Sequence, residues 1–66
     1  MNITLNGDAQ QLNDGICLNQ LIEQLNIKGR RIAVEINQQI IPKSEHLAYE
    51  IKDGDRIEIV HAIGGG

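Results

Sequence analysis

The residues of this chain best suited to chemistry are its last three glycines, Gly64, Gly65 and Gly66. Glycine has no side chain, so such a segment can extend into a narrow tunnel and adopt backbone conformations closed to other residues. The carboxylate of Gly66 is a poor electrophile until a partner exchanges one of its oxygens for a better leaving group, for example by adenylation with ATP. We therefore predict that residues 64–66 form a flexible tail that carries this carboxylate into the active site of another protein.

Three other side chains are candidates for chemistry, and the sequence favours a structural role for each. Cys17 has no His or Asp close to it in sequence, and we expect a small, partly buried residue beside the start of a helix. His46 and His61 are too isolated to form a metal site with Cys17. The sequence also shows neither a catalytic triad nor a phosphate-binding glycine loop. We predict that the chain is not an enzyme, has no catalytic residue and binds no metal or cofactor of its own.

The size and charge of the chain exclude further classes of function. Its 66 residues include one Tyr but no Phe or Trp, and its formal net charge is −3. A chain of this length buries only about 60% of the surface that its unfolded form exposes, which leaves little material for a deep catalytic cleft. An acidic chain with so few aromatic side chains for bases to stack on is not expected to bind nucleic acid.

The cysteine count and the start of the sequence bear on location. A single cysteine cannot form an internal disulfide, which favours a reducing compartment, so we expect a cytoplasmic protein. The first residues lack a basic region followed by an apolar stretch, and no apolar run approaches the roughly 20 residues that a bilayer requires. We expect neither export nor membrane insertion.

The first half of the chain predicts a hairpin followed by a helix. Ile3 and Leu5 alternate with polar residues, Asn6-Gly7 is a strong turn signal, and residues 10–12 can return as the second strand. A helix is predicted next, because apolar residues recur at positions i, i+3, i+4 and i+7, namely Leu18, Leu21, Ile22 and Leu25. Gly29 suits the end of this helix.

The second half predicts three strands. Ile32–Ile36 alternates like a strand, and Pro42 limits the next strand, residues 39–41, to a short or edge position. Residues 44–49 suit one helical turn, and residues 56–60 form the last strand. The order β, β, α, β, β, turn, β predicts one α+β domain over residues 1–66, a β-grasp fold with about five strands on one main helix, in which the first and last strands are neighbours.

The alternation of the last strand also predicts a docking surface. Ile57 and Ile59 are expected to face the helix, and period two places the residues between and beyond them on the open face of the sheet. The expected residues of that face are Glu58, Val60 and Ala62, with Ala33 and Glu35 of the third strand nearby. We predict that partner proteins dock there; the alternative is an ordinary half-exposed sheet face.

Several stretches together carry a resemblance to a known family. They are Ile3 to Gly7, Leu18 to Leu25, Ala33 to Asn37 followed by Ile41-Pro42, Asp53 to Ile59 and the glycine terminus. They span the whole chain, which resembles the sulfur carrier proteins of thiamine biosynthesis, the ThiS family. Lys43 departs from the family pattern, in which an arginine is frequent after the proline.

The resemblance implies a carrier that is a co-substrate of other enzymes. A ThiF-like adenylyltransferase, using ATP and magnesium, would activate the Gly66 carboxylate while Gly64 and Gly65 lie in its active site. Sulfur from a sulfurtransferase or cysteine desulfurase would replace the adenylate to give a thiocarboxylate. A ThiG-like thiazole synthase would then take that sulfur for the thiazole ring.

Three alternatives remain open at this stage. The small subunit of molybdopterin synthase resembles this domain and uses the same terminal chemistry, and genetic complementation separates the two pathways. A ubiquitin-like modifier would form covalent adducts with lysines that survive reducing denaturation. An interaction module with incidental glycines would keep its function after deletion of Gly65 and Gly66.

Overall fold

The sheet has five strands: the last strand of the sequence lies at its centre, and one short hairpin lies on each side of it. The computed structural model describes residues 1–27 and 30–61. Across the sheet the strand order is β2-β1-β5-β3-β4, with β1 and β5 parallel and the other neighbours antiparallel. The predicted mixed sheet with adjacent first and last strands is confirmed. Its strands are β1 (Asn2–Leu5), β2 (Asp8–Gln11), β3 (Ile32–Ile36), β4 (Gln39–Ile40) and β5 (Arg56–His61).

Both hairpins turn through two residues with positive φ. Asn6 and Gly7 have φ of 51° and 86°, and Asn37 and Gln38 have φ of 52° and 70°. Two-residue hairpin loops favour this geometry because its twist matches that of the strands, and asparagine and glycine adopt it at little cost. The first loop pairs Leu5 with Asp8. The second strand therefore starts at Asp8, and the predicted start at residue 10 was wrong.

In the described part of the chain, one α-helix, α1 (Leu18–Gln24), lies over one face of the sheet and buries most of its predicted apolar stripe. Leu18, Leu21 and Ile22 are buried, whereas Leu25 at the helix end is 37% exposed. At the start of the helix the main-chain N–H of Cys17 donates to the side-chain oxygen of Gln20 at 2.8 Å. This bond satisfies a donor that the first helical turn leaves without a main-chain partner.

The helix ends earlier than Gly29, where its exit was predicted, and Gly29 itself lies outside the described residues. Asn26 adopts a left-handed conformation with φ of 61°. The N–H groups of Asn26 and Ile27 donate to the carbonyl oxygens of Glu23 and Ile22, at 3.0 and 3.4 Å. Crossed bonds of this kind close a helix at a left-handed residue, a position that asparagine tolerates. The prediction overlooked Asn26 because glycine is the more common residue there.

The core fills the space between α1 and one face of the sheet. Its central positions come from alternate residues of β3 and β5, which are at most 7% exposed. After Pro42 a 3-10 helix forms at Lys43–Glu45, so the helical turn predicted for residues 44–49 is present but begins one residue earlier and is shorter. The chain then meets the start of α1, where the Leu18 N–H donates to the Tyr49 carbonyl oxygen at 2.8 Å. The buried apolar residues are Ile3, Ile16, Leu18, Leu21, Ile22, Val34, Ile36, Ile41, Ile51, Ile57 and Ile59.

The described part of the chain contains no helix with the length and hydropathy needed to span a bilayer.

Candidate functional site

The predicted reactive group lies just beyond the part of the chain that the structure describes. Gly64, Gly65, Gly66 and Ala62 fall in residues 62–66, outside the described residues, so their roles remain predictions. The last described residue, His61, ends β5. The described part of the candidate site therefore consists of the strand that leads into these residues and the sheet face beside it.

Strand β5 is held on both sides by main-chain hydrogen bonds. It pairs with β1 in parallel and with β3 in an antiparallel ladder that runs from Ile36 opposite Ile57 to Ile32 opposite His61. The pairing with β1 ends at Leu5 opposite Ile57, whereas the ladder with β3 continues to the last residue of β5. The point from which residues 62–66 continue is consequently fixed by the sheet.

Asn6 extends the pairing of β1 with β5 after the main chain of β1 has turned away. Its main-chain N–H donates to the carbonyl oxygen of Ile57 at 2.9 Å. Its side chain continues the pattern two residues along: Oδ1 accepts the Ile59 N–H at 2.9 Å, and Nδ2 donates to the Ile59 carbonyl oxygen at 3.2 Å. A side-chain amide has the same donor and acceptor as a peptide group, so it can take the place of a strand residue. From the sequence alone, Asn6 is predicted only as a turn residue.

Asn37, at the equivalent position of the second hairpin, holds the other end of β5. Its side-chain oxygen accepts the Arg56 N–H at 3.0 Å, and its side-chain nitrogen donates to Asp55 at 3.0 Å. The sequence signal for both contacts is an asparagine at the first position of a two-residue hairpin turn. That signal predicts the turn, whereas the partner strand is set by the tertiary fold.

The buried carboxylate of Asp55 connects this end of β5 to the preceding loop. Asp55 is 6% exposed, and its second oxygen accepts the Lys52 N–H at 2.9 Å. Partial burial, the negative charge of Asp55 and a hydrogen bond to it together raise the pKa of Tyr49 above its ordinary value of 10.0. The hydroxyl of Tyr49 is the donor in that bond. These contacts satisfy a buried charge that would otherwise destabilise the fold.

The open face of the sheet carries the residues that the alternation of β5 places there. Ile57 and Ile59 are buried, whereas Glu58 and Val60 are exposed. Val60 lies opposite Ala33, and Glu58 lies opposite Glu35 on the neighbouring strand. The structure thus brings the described residues of the predicted docking surface onto one face, and their role in docking remains a prediction.

These side chains border a shallow groove of about 320 Å³ on the open face. One wall is Ile40 of the edge strand β4, which lies opposite Glu35 and is 75% exposed. Ile40 was not among the residues predicted for this face. The two-residue turn at Asn37-Gln38 sets the register that puts it there. The residues that line the groove are Asn6, Ala33, Val34, Glu35, Ile40, Glu58 and Val60.

The remaining candidates have structural positions. His46 is 6% exposed, and its Nε2 lies 3.1 Å from the carbonyl oxygen of Ile41. Cys17 is partly buried at the start of α1, and His61 is exposed at the end of β5. Within residues 1–27 and 30–61, no group of three or more His, Cys, Asp or Glu side chains is arranged to hold a metal ion.

A match to a protein-family model shows the family to which this chain belongs. The model of the ThiS family matches residues 3–66. The chain belongs to the ThiS family. The resemblance stated from the sequence is therefore confirmed.

Individual relatives include separate carriers and a longer protein. The ThiS-family chain is 36% identical to the sulfur carrier protein ThiS of Escherichia coli, over 100% of both chains. It is also 36% identical to a thiazole synthase of Paramagnetospirillum magneticum over 66 residues, and it spans only 20% of that protein's length. The crystal structure of the thiamine biosynthesis protein ThiS from Geobacter metallireducens matches with a TM-score of 0.87 and 28% identity, over 100% of both chains. The β-grasp fold predicted from the sequence agrees with this match.

Proposed function

We propose that this ThiS-family chain is the sulfur carrier for thiazole formation in thiamine biosynthesis, with the Gly66 carboxylate as the group that carries sulfur. The observation that supports this most directly is the match over its whole length to a protein named as a sulfur carrier. The fold adds the physical means: residues 62–66 continue from the central strand β5, which is paired with β3 as far as His61.

The chemistry assigns one group to the carrier and the remainder to its partners. The carboxylate attacks the α-phosphorus of ATP, pyrophosphate leaves, and an acyl adenylate forms. A sulfur nucleophile supplied by a sulfurtransferase or cysteine desulfurase then attacks the acyl carbon, and AMP leaves with the bonding electrons. With a persulfide as the nucleophile, the product is an acyl disulfide. A thiol then attacks the sulfur of the donor cysteine, the bond between that sulfur and the acyl sulfur breaks, and the carrier ends in a thiocarboxylate while the donor keeps a new disulfide. The ATP and magnesium are bound by the ThiF-like partner, so the carrier is a co-substrate rather than an enzyme.

The length of the tail limits where a partner can dock. Gly66 is the fifth residue after His61, the last residue of β5. An extended chain spans at most about 3.3–3.6 Å per residue, so the carboxylate reaches no more than about 18 Å from the end of β5. A partner must therefore bind the carrier within this distance of its own catalytic centre, and the open face beside β5 satisfies that condition.

The thiazole synthase is proposed as the acceptor of the sulfur. A protein named thiazole synthase contains a segment similar to the whole of this chain. Joining two partners in one polypeptide raises their effective concentration, which is useful when one hands a reactive group to the other. We infer that the separate carrier meets a ThiG-like synthase in the same way.

The experiment that tests the carrier chemistry is intact-mass spectrometry. The chain is incubated with ATP, magnesium, a sulfur donor and a ThiF-like enzyme that is active on its own carrier. We expect the mass increase for one oxygen replaced by one sulfur. Cys17→Ser should show the same increase, since the sulfur resides on the tail, and a chain lacking Gly65 and Gly66 should show none. Absence of both adenylate and thiocarboxylate on the intact chain contradicts the proposal.

A matched pair of variants tests the docking face. Val60 and Leu47 are both exposed apolar residues, 58% and 75% exposed, and Leu47 does not line the groove. Val60→Asp should weaken binding of the adenylating partner by at least about tenfold, because it places a charge in an apolar contact. Leu47→Asp should bind like the unmodified chain. Equal binding by both variants would remove the groove from the proposal.

A further inference from the structure

Two glutamates are paired across neighbouring strands at the centre of the open face. Glu35 of β3 is paired directly with Glu58 of β5. Residues paired in this way on one face of an antiparallel ladder have Cβ atoms about 4.5–5.5 Å apart, and like charges at such positions destabilise a sheet. The free carrier therefore holds two like charges at directly paired positions of its sheet.

Neither carboxylate is neutralised by another described residue. Within residues 1–27 and 30–61, no ion pair or hydrogen bond engages the side chain of Glu35 or Glu58. Arg56 lies on the same face of β5, two residues from Glu58, and does not pair with it. The positive charge that would balance the two carboxylates is thus not supplied by the described part of the carrier.

Apolar side chains surround the charge pair on the same face. Ile40 lies opposite Glu35 on its outer side, and Val60 with Ala33 forms the next pair along the ladder. A groove of about 320 Å³ runs between them. An apolar groove with carboxylates at its centre fits an aliphatic side chain and a cation presented together. The same charges oppose a second copy of this acidic chain on this face, because the copy would bring its own glutamates.

We propose that this face of the sheet binds a surface of the adenylating partner that presents one arginine between Glu35 and Glu58, with an aliphatic side chain beside it in the groove. This inference rests on the proposed function. Arginine suits the position better than lysine because its planar guanidinium has five donors and can bond two carboxylates at once. The adenylating partner is favoured because it must attract a chain of net charge −3 with an anionic terminus to a site that also binds ATP, which requires a positive field.

The test compares binding of carrier variants to a ThiF-like enzyme at several salt concentrations. The double variant Glu35→Gln/Glu58→Gln keeps the shape of both side chains and removes both charges. We expect its dissociation constant to rise at least about tenfold at low salt, with a weaker dependence on salt than the unmodified chain shows. Glu58→Lys should bind more weakly still, since it places like charges together.

A charge-matched control and a stability measurement separate docking from folding. Glu50 is exposed, and its main chain pairs with Cys17 in an isolated β-bridge at the start of α1, away from the groove. Glu50→Gln should therefore bind the partner like the unmodified chain. The double glutamine variant should also have a higher urea midpoint than the unmodified chain, because its repulsion in the free carrier is relieved. A variant that folds more stably and binds more weakly is not explained by a structural role for the two glutamates.

Further outcomes distinguish the arginine contact from the two earlier proposals, the docking face and the carrier chemistry. Normal affinity and salt dependence of the double glutamine variant, together with weak binding of Val60→Asp, would overturn the arginine contact and leave the docking face in place. Failure of the unmodified chain to form an adenylate concerns the carrier chemistry instead. As a positive test, a set of single Arg→Glu variants of the partner should include one that restores binding to Glu58→Lys, and absence of any such variant counts against the inference.

Discussion

Replacing Asn6 with glycine should loosen strand β5 near the point where it leads into the tail. Glycine keeps the backbone conformation of the turn, in which Asn6 has φ of 51°. It removes the side-chain amide, which accepts the Ile59 N–H at 2.9 Å and donates to the Ile59 carbonyl oxygen at 3.2 Å. The change thus deletes two hydrogen bonds to one residue of β5 and leaves the turn intact.

The magnitude follows from these two contacts. A hydrogen bond contributes about 0.5–1.5 kcal/mol net, so the pair accounts for about 1–3 kcal/mol. Removing a side chain from a left-handed residue returns part of this, up to about 1 kcal/mol. We expect the free energy of unfolding to fall by about 1–2 kcal/mol. In a domain of this size that lowers the melting temperature by about 5–15 °C.

The assay is urea denaturation combined with hydrogen exchange at the Ile59 amide. The m-value should stay constant while the midpoint falls, and the Ile59 amide should lose protection. Gln38→Gly is the matched control, since Gln38 also has positive φ, 70°, and its side chain has no hydrogen bond to a described residue. It should raise stability by about 0.5–1 kcal/mol. If Asn6→Gly is as stable as the unmodified chain, the side-chain amide of Asn6 does not support β5.

Three other predictions concern the core, the open face and Tyr49. Ile57→Ala, at a residue 1% exposed, should lower the free energy of unfolding by about 2–5 kcal/mol in urea denaturation. Val60→Ala on the opposite face of the same strand should change it by less than about 0.5 kcal/mol, and a larger loss would mean that Val60 belongs to the core. The pKa of Tyr49 is raised in the folded state above its ordinary value of 10.0. The folded state therefore favours the neutral hydroxyl, and this adds to the free energy of unfolding below pH 10.0. The contribution is lost as the pH rises through the folded pKa. Tyr49→Phe should remove this part of the alkaline decline, measured as the unfolding free energy against pH, and an unchanged decline would show that other groups cause it.

The sequence alone determined those features that depend on local pattern. Alternation identified the faces of β3 and β5, the spacing from Leu18 to Ile22 identified the buried stripe of the helix, and Asn6-Gly7 identified the first turn. The order of elements was sufficient to predict that the first and last strands are neighbours. The resemblance carried by the same stretches led to the family. All of these depend on residues close together in sequence or on rules of chain connection.

Only the tertiary structure decided which distant residues meet. The Asn6 side chain reaches Ile59, 53 positions away in sequence, and Asn37 reaches Asp55, 18 positions away. Ile40 joins the groove because a two-residue turn sets it opposite Glu35, and Glu35 meets Glu58 only through the register of β3 with β5. A polar side chain in a turn can satisfy its hydrogen bonds with water or with any nearby strand, so its own sequence neighbourhood does not specify the partner. The fold specifies that partner by closing the chain around a shared core, which brings separate segments into one register.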